Sequence, residues 1–135
     1  MDEKKLMDAA RAARSLSYSP YSGFAVGAAL LCRDGEIYPG ANVENAAYPS
    51  TSCAEHAAVV AALLAGHRDF AAIAVSGGKA GEEALCAPCG NCRQVLREFC
   101  SGDFVILFSD GQGSWIRTTL AQLLPESFGP ENLES

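Results

Sequence analysis

Two short stretches, far apart in the chain, have to meet in space for either to make chemical sense. One reads Cys53-Ala54-Glu55-His56 and the other Pro88-Cys89-Gly90-Asn91-Cys92, and together they use three of the six cysteines. Three thiolates and one unligated carboxylate are what a hydrolytic zinc centre needs. Three protein ligands leave a fourth tetrahedral position for water, and a nearby Glu can move that water's proton. Any fold for this chain must therefore bring the starts of two helices to one point. Cys89 and Cys92 are three apart at a predicted helix start, so their sulfurs share a face, and the helix N-terminus favours thiolate over thiol. Cys53 opens a different helix. Residues two apart in a regular helix point about 200° away from each other, so Cys53 and Glu55 can face one metal only if Cys53 is the cap and Glu55 lies in the first turn. The polar loop before Cys53 supports that placement.

Length and composition narrow the rest. With 135 residues, 49% hydrophobic and 19% charged, the chain is expected to form one globular domain, 1–135. No apolar run approaches membrane-spanning length. The charged, helix-patterned start (Met1 to Arg14) lacks the features of a secretory leader, so the expected location is cytoplasmic. Net charge is −6, and the basic residues are scattered rather than gathered into a stripe, which disfavours a nucleic-acid partner. Three disulfides in a secreted mini-protein fit poorly with an Ala- and Val-rich chain of this length. Cys32, Cys86 and Cys100 read as buried small hydrophobes, with Cys86, three residues before Cys89, left open as a competing ligand.

Along the chain, Lys4–Leu16 has helical spacing and Ser19–Gly23 is a turn cluster. Phe24–Cys32 and Glu36–Asn42 read as strands joined by Arg33-Asp34-Gly35. Glu44–Ser52 is a polar loop. Cys53–Ala65 is a helix with no polar side chain after His56, so it is expected to be buried all round. One sheet cannot cover every face of it in a chain this small, which implies a neighbouring subunit. Phe70–Ser76 is a strand ending at Gly77-Gly78, Cys89–Phe99 a helix, Phe104–Ser109 a strand, and Trp115–Arg117 a short fifth strand before a short helix through Leu124. The expected fold class is α/β: a three-layer α-β-α sandwich with a central mixed sheet of about five strands.

Zinc with three thiolates carries a charge of −1, which the two helix N-termini, His56 and Arg93 are placed to offset. Two plainer readings compete. His56 as a fourth ligand would make a closed Cys3His knot that only staples the fold. A redox Cys-x-x-Cys would leave Cys53-x-Glu55 unexplained.

The two half-motifs match the signature of the zinc-dependent nucleoside and nucleobase deaminases, and the chain resembles the small homotetrameric cytidine deaminases over nearly its whole length. The likeness includes Tyr18-Ser19-Pro20-Tyr21-Ser22, Gly40-Ala41-Asn42-Val43-Glu44-Asn45-Ala46, the loop through Tyr48, Cys92-Arg93-Gln94, Leu123-Leu124-Pro125 and Phe128-Gly129-Pro130. The resemblance implies one Zn2+ per subunit on Cys53, Cys89 and Cys92. It implies hydrolysis of the 4-amino group of cytidine or deoxycytidine, with Glu55 taking the proton of the zinc-activated water, protonating N3 and assisting the leaving amine. It also implies that the Ala54 N–H and the Ala87 C=O hold the base, Phe24 packs on the pyrimidine, and Asn42 with Glu44 binds the ribose. Tyr48 and Phe128 match positions that reach a substrate in a neighbouring subunit, so the partners expected are a small nucleoside and further copies of the chain in a homotetramer with composite sites. A deaminase of a nucleoside-like antibiotic such as blasticidin S, and a non-catalytic zinc-stabilised module, are the alternatives.

One departure stands out. The family usually has Arg after the catalytic Glu, where it hydrogen-bonds the thiolates. Here it is His56, expected to contact a ligand sulfur, donating one bond when neutral and adding charge only when protonated. Pro49, where Gly is common, stiffens the loop.

Overall fold

Alternation along three strands decides the architecture. In β1 (Phe24–Cys32), Ala28, Leu30 and Cys32 face one side of the sheet and Ala29 the other. In β3 (Phe70–Lys79), Ile73 and Val75 take the first side and Ala72 and Ala74 the second. β4 (Val105–Ser109) continues the pattern, with Ile106 and Phe108 opposed to Leu107. Both faces are apolar, so both must be covered. With β2 (Ile37–Ala41) and β5 (Trp115–Thr119) the strands form one mixed sheet in the order β2-β1-β3-β4-β5. The β3–β4 pair is parallel and the other pairs are antiparallel. The structure, a computed structural model, describes residues 1–133.

Helix α1 (Glu3–Ala13) starts where the Asp2 side chain accepts from Lys5 N, a standard cap. It lays Leu6, Met7 and Ala10 on the small residues Ala29, Ala72 and Ala74. The opposite face is covered by α2 (Ala54–Leu64), α3 (Gly90–Phe99) and the short α4 (Leu120–Leu123) through Ala58, Val59, Ala62, Leu96 and Leu120. The three-layer α-β-α sandwich expected from the sequence is the fold the chain adopts. None of these helices is long and apolar enough to cross a membrane, among the described residues.

Connectivity sets where the site lies. α2 and α3 pack on the same face, one leading into β3 and the other linking β3 to its parallel neighbour β4. α2 lies over β2 and β1, both helices run opposite in direction to β3, and both begin towards its C-terminal end. That is how two motifs more than thirty residues apart arrive together.

Gly40 fixes the height of α2 above the sheet. A Cβ there would lie 2.3 Å from the Ala54 carbonyl oxygen and 2.5 Å from Ala58 N. Backbone atoms cannot rotate away, so Gly40→Ala is expected to cost about 3 kcal/mol, at the top of the usual range for overpacking, and roughly 10 °C in Tm. Because Cys53 and Glu55 ride on that same turn, zinc retention is expected to weaken with it. Thermal denaturation and metal content of the variant check both.

Candidate active site

Helix caps are ordinarily Ser, Thr, Asp or Asn, whose side chains turn back to the first N–H groups. Here both caps are cysteines. Cys53 caps α2 and Cys89 caps α3, each in extended backbone conformation, and neither side chain makes a capping hydrogen bond. Their sulfurs point elsewhere: Cys53 Sγ lies 3.9 Å from Cys89 Sγ, and Cys89 Sγ lies 3.4 Å from Cys92 Sγ. All three sulfurs fall within 4.8 Å of one another. A tetrahedral ion with Zn–S bonds of about 2.3 Å would hold its sulfurs about 3.8 Å apart, so the separations of 3.9 and 3.4 Å suit zinc with shifts of a few tenths of an ångström.

Proton chemistry makes the same point. Thiol donation from Cys92, then Cys89, lowers Cys53 to about 6. The same contact with Cys53, then burial and the Glu55 charge, pushes Cys92 far up. Without a cation the three share protons and cannot all be thiolates. A bound divalent ion removes that conflict.

Glu55 lies in the first turn of α2, 5% exposed, and burial raises its carboxyl above the usual range. A cavity of 230 Å³ opens beside it, lined by Cys53, Ala54, Glu55, Ala87 and Cys89 together with Val26, Asn42, Thr51, Ser52 and Cys86. The Ala54 N–H, an orphan of the first helical turn, and the Ala87 C=O have no backbone partner among the described residues. They give the cavity one free donor and one free acceptor.

The loop between β3 and α3 is heavily braced. Cys86 N donates to Ser109 O (3.0 Å), and the Ser109 hydroxyl donates to Ala84 O (2.6 Å). Glu83 accepts from Arg11 (2.9 Å) and from Ser76 (2.6 Å). Gly77 is required because a Cβ would stand 2.5 Å from Cys86 Sγ and 2.9 Å from the Phe24 ring. Cys86 does not join the sulfur trio. Burial, then the Glu55 charge, pushes it up to about 11, and it stands on the cavity wall outside the trio.

The remaining expected residues divide. Asn42 is tied to β1, its Oδ1 accepting from Val26 N (2.9 Å) and its Nδ2 donating to Phe24 O (2.9 Å). Glu44 accepts from Tyr21 N (3.0 Å) and Ser22 N (3.1 Å), and the Ser22 hydroxyl holds its carboxyl below the usual range. It lines a second cavity of 250 Å³ with Tyr21, Ser22, Asn45, Tyr48 and Thr51. Thr51 borders both cavities, so the metal end and the Glu44 end are contiguous. Phe24 sits beside Cys86, outside the cavity lining. Phe128, 58% exposed, lies with Gln94 and Gly129 away from the sulfurs.

His56 differs from expectation. It follows Glu55 by about 100° of helix rotation, and with Glu55 turned inward it lands on the exposed face. Among the described residues its ring hydrogen-bonds no cysteine. Arg93 also leaves the sulfurs alone, donating to Pro88 O (2.7 Å) and Leu123 O (2.9 Å). It brings a positive charge next to Cys89 and ties the C-terminal segment to α3. Thr51 was missed in the sequence because it belongs to no motif, and Cys86, read there as a buried hydrophobe or competing ligand, is placed on the cavity wall only by the fold.

Comparisons with known proteins agree with this geometry. The family model described as the cytidine and deoxycytidylate deaminase zinc-binding region matches residues 1–108. A cytidine deaminase of Sporosarcina psychrophila is 47% identical over 98% of this chain and 96% of its own length. One of Halalkalibacterium halodurans is 44% identical over 98% of each. The crystal structure of cytidine deaminase from Burkholderia pseudomallei superposes with a TM-score of 0.87 at 45% identity, covering 95% of this chain and 100% of that one. The chain belongs to the cytidine and deoxycytidylate deaminase zinc-binding family.

Proposed function

We propose that this protein hydrolyses the 4-amino group of cytidine and deoxycytidine, giving uridine or deoxyuridine and ammonia, in pyrimidine salvage. The observation that carries the reading is a buried carboxyl, Glu55, on the wall of a cavity also lined by Cys53 and Cys89, two members of the zinc-spaced sulfur trio. Held by Cys53, Cys89 and Cys92, Zn2+ supplies the Lewis acidity that makes a water nucleophilic near neutral pH.

The chain's own residues do the rest. Burial raises the Glu55 carboxyl, which suits it to hold a proton, deliver it to ring N3, and pass one to the departing amine. The Ala54 N–H and the Ala87 C=O hold the base, Cys86 walls the pocket, and Phe24 stands beside Cys86. The second amide hydrogen of Asn42 and the carboxylate of Glu44 take the sugar. Complementarity is to the tetrahedral carbon of the transition state rather than to the flat ring. With His56 turned outward, the helix N-termini, each worth about half a charge, and Arg93 offset the thiolates. A closed Cys3His knot lacks its fourth ligand for the same reason. Mixing purified protein with cytidine and following absorbance and released ammonia tests the reading. No turnover on any cytosine nucleoside would sink it.

The active species in this proposal is a homo-oligomer, a tetramer with composite sites, in the cytoplasm. On the outer face of α2, Val60 and Leu64 are 39% and 84% exposed, and Tyr48 is 76% exposed. Apolar side chains on one helix face call for a cover. All six cysteines are free thiols, which suits a reducing compartment. The double variant Val60→Asp, Leu64→Asp is expected to sediment as a smaller species, keep its zinc, and lose turnover by about 100-fold or more as Tyr48 and Phe128 are withdrawn from neighbouring sites. Full activity in a monomer would rule out the composite site.

A further inference from the structure

At the far end of α2 from the sulfur trio, the β1–β2 turn meets the residues that follow the helix. His67 Nε2 lies 2.9 Å from Asp34 Oδ2, and His67 Nδ1 lies 3.3 Å from the Tyr38 hydroxyl, which lies 2.8 Å from Glu36 Oε2. These are three polar contacts in a row. A neutral imidazole and a phenol bring only two hydrogens to them. If Tyr38 donates to Glu36, then Nδ1–H must donate to Tyr38, and the Nε2 lone pair faces a carboxylate oxygen. If Nε2–H donates to Asp34, the Tyr38 hydrogen must serve two acceptors. Either way one contact lacks a hydrogen, a shortfall that a bound cation or a second ring proton would make good.

Cys32 lies in the same corner. Its sulfur, the Asp34 carboxylate and a His67 ring nitrogen all fall within 4.8 Å of one another. The corner thus brings together a thiol, a carboxylate and an imidazole, three metal-ligating groups. We propose that this corner is a second, non-catalytic site for a divalent transition-metal ion, held by Cys32 Sγ, an Asp34 oxygen and His67 Nε2.

The donor set is one sulfur, one imidazole and one carboxylate, which selects zinc-like ions over Mg2+ or Ca2+. A tetrahedral zinc spans about 3.3 Å between nitrogen and oxygen ligands, a small opening of the 2.9 Å contact. Glu36 Oε2, 3.9 Å from Nε2, stands close enough to complete the shell, and Tyr38 orients the ring from behind as an outer partner. The donors are held in place beforehand. Asp34 Oδ1 accepts from Glu36 N at 3.0 Å, leaving Oδ2 for the ion, and Cys32 N donates to Glu36 O at 2.8 Å. Entry is from solvent, because the Asp34 and Glu36 side chains are 55% and 62% exposed while Cys32 is buried beneath them. On binding, the Cys32 S–H bond breaks, its proton leaves to solvent, and the sulfur bonds the ion. The product is a clamp between the hairpin and the end of α2, independent of the deamination reading.

The test is metal analysis of the full-length zinc-loaded protein, equilibrated with excess Zn2+ and freed of loosely held ion. Two zinc per chain are expected, falling to one in His67→Gln and in Asp34→Asn, with cytidine turnover as in the native protein. Added Zn2+ is expected to raise Tm by several degrees in the native protein and in neither variant. One zinc per chain in the native protein overturns the proposal, because a proton then supplies the missing charge. Two zinc retained by both variants overturns it equally, because the second ion then sits elsewhere.

Discussion

Glu55→Gln is expected to purify with its full zinc content and to deaminate cytidine about 1,000- to 10,000-fold more slowly than the native protein, the loss typical of removing a general acid–base group. The amide has the carboxyl's shape, and Glu55 is buried against the metal cavity, so packing survives the change. What disappears is a group able to carry a proton between water, ring and leaving amine. Burial already raises the carboxyl, so replacing it with a neutral amide removes no needed negative charge from the fold, and stability is expected to hold or improve slightly. Zinc content and single-turnover rates measured on one preparation separate the outcomes. A variant that keeps both metal and turnover would leave the buried carboxyl without a catalytic role.

The second large effect concerns the sulfurs. Stripping the metal with a chelator, or replacing the fully buried Cys92 with Ala, is expected to abolish turnover and lower Tm by roughly 10–20 °C, since a ligand held far above its dissociation constant contributes about 4 kcal/mol or more. The cause is specific. The trio joins two helix caps that have no side-chain capping of their own, and without the ion three thiols must share protons at distances of 3.4 and 3.9 Å. Zn2+ added back restores the stripped native protein but not Cys92→Ala. A stripped protein that melts at the native temperature would show that the ion plays no part in holding the fold.

Much of this was legible in the residues, for identifiable reasons. β1 runs from Phe24 to Cys32 as its apolar run says, because flanking turn residues leave no choice of boundary. Cys53 and Cys89 sit at helix caps, as the geometry of Cys53-x-Glu55 required. Two readings failed. β3 was expected to stop at Gly77-Gly78 but runs to Lys79. Those glycines are there for close approach, to Cys86 at one position and Glu82 at the next, and a sequence does not distinguish a glycine that breaks a strand from one that admits a neighbour. His56 was placed against a sulfur by likeness to Arg, but the inward turn of Glu55 carries it to the outside. The Cys32–Asp34–His67 corner was invisible, since His67 lies more than thirty residues from Cys32 and Asp34 and none of the three belongs to a motif.

The convergence of α2 and α3 at the end of β3 has a consequence for how the chain assembles. Cys89 and Cys92 are neighbours from the moment a single turn forms, whereas Cys53 reaches them only after β3 has paired with β1, a contact between remote parts of the chain. Loop closure of that kind is slow. The ion is therefore expected to act as a latch on a nearly finished molecule, slowing its opening more than it speeds its formation.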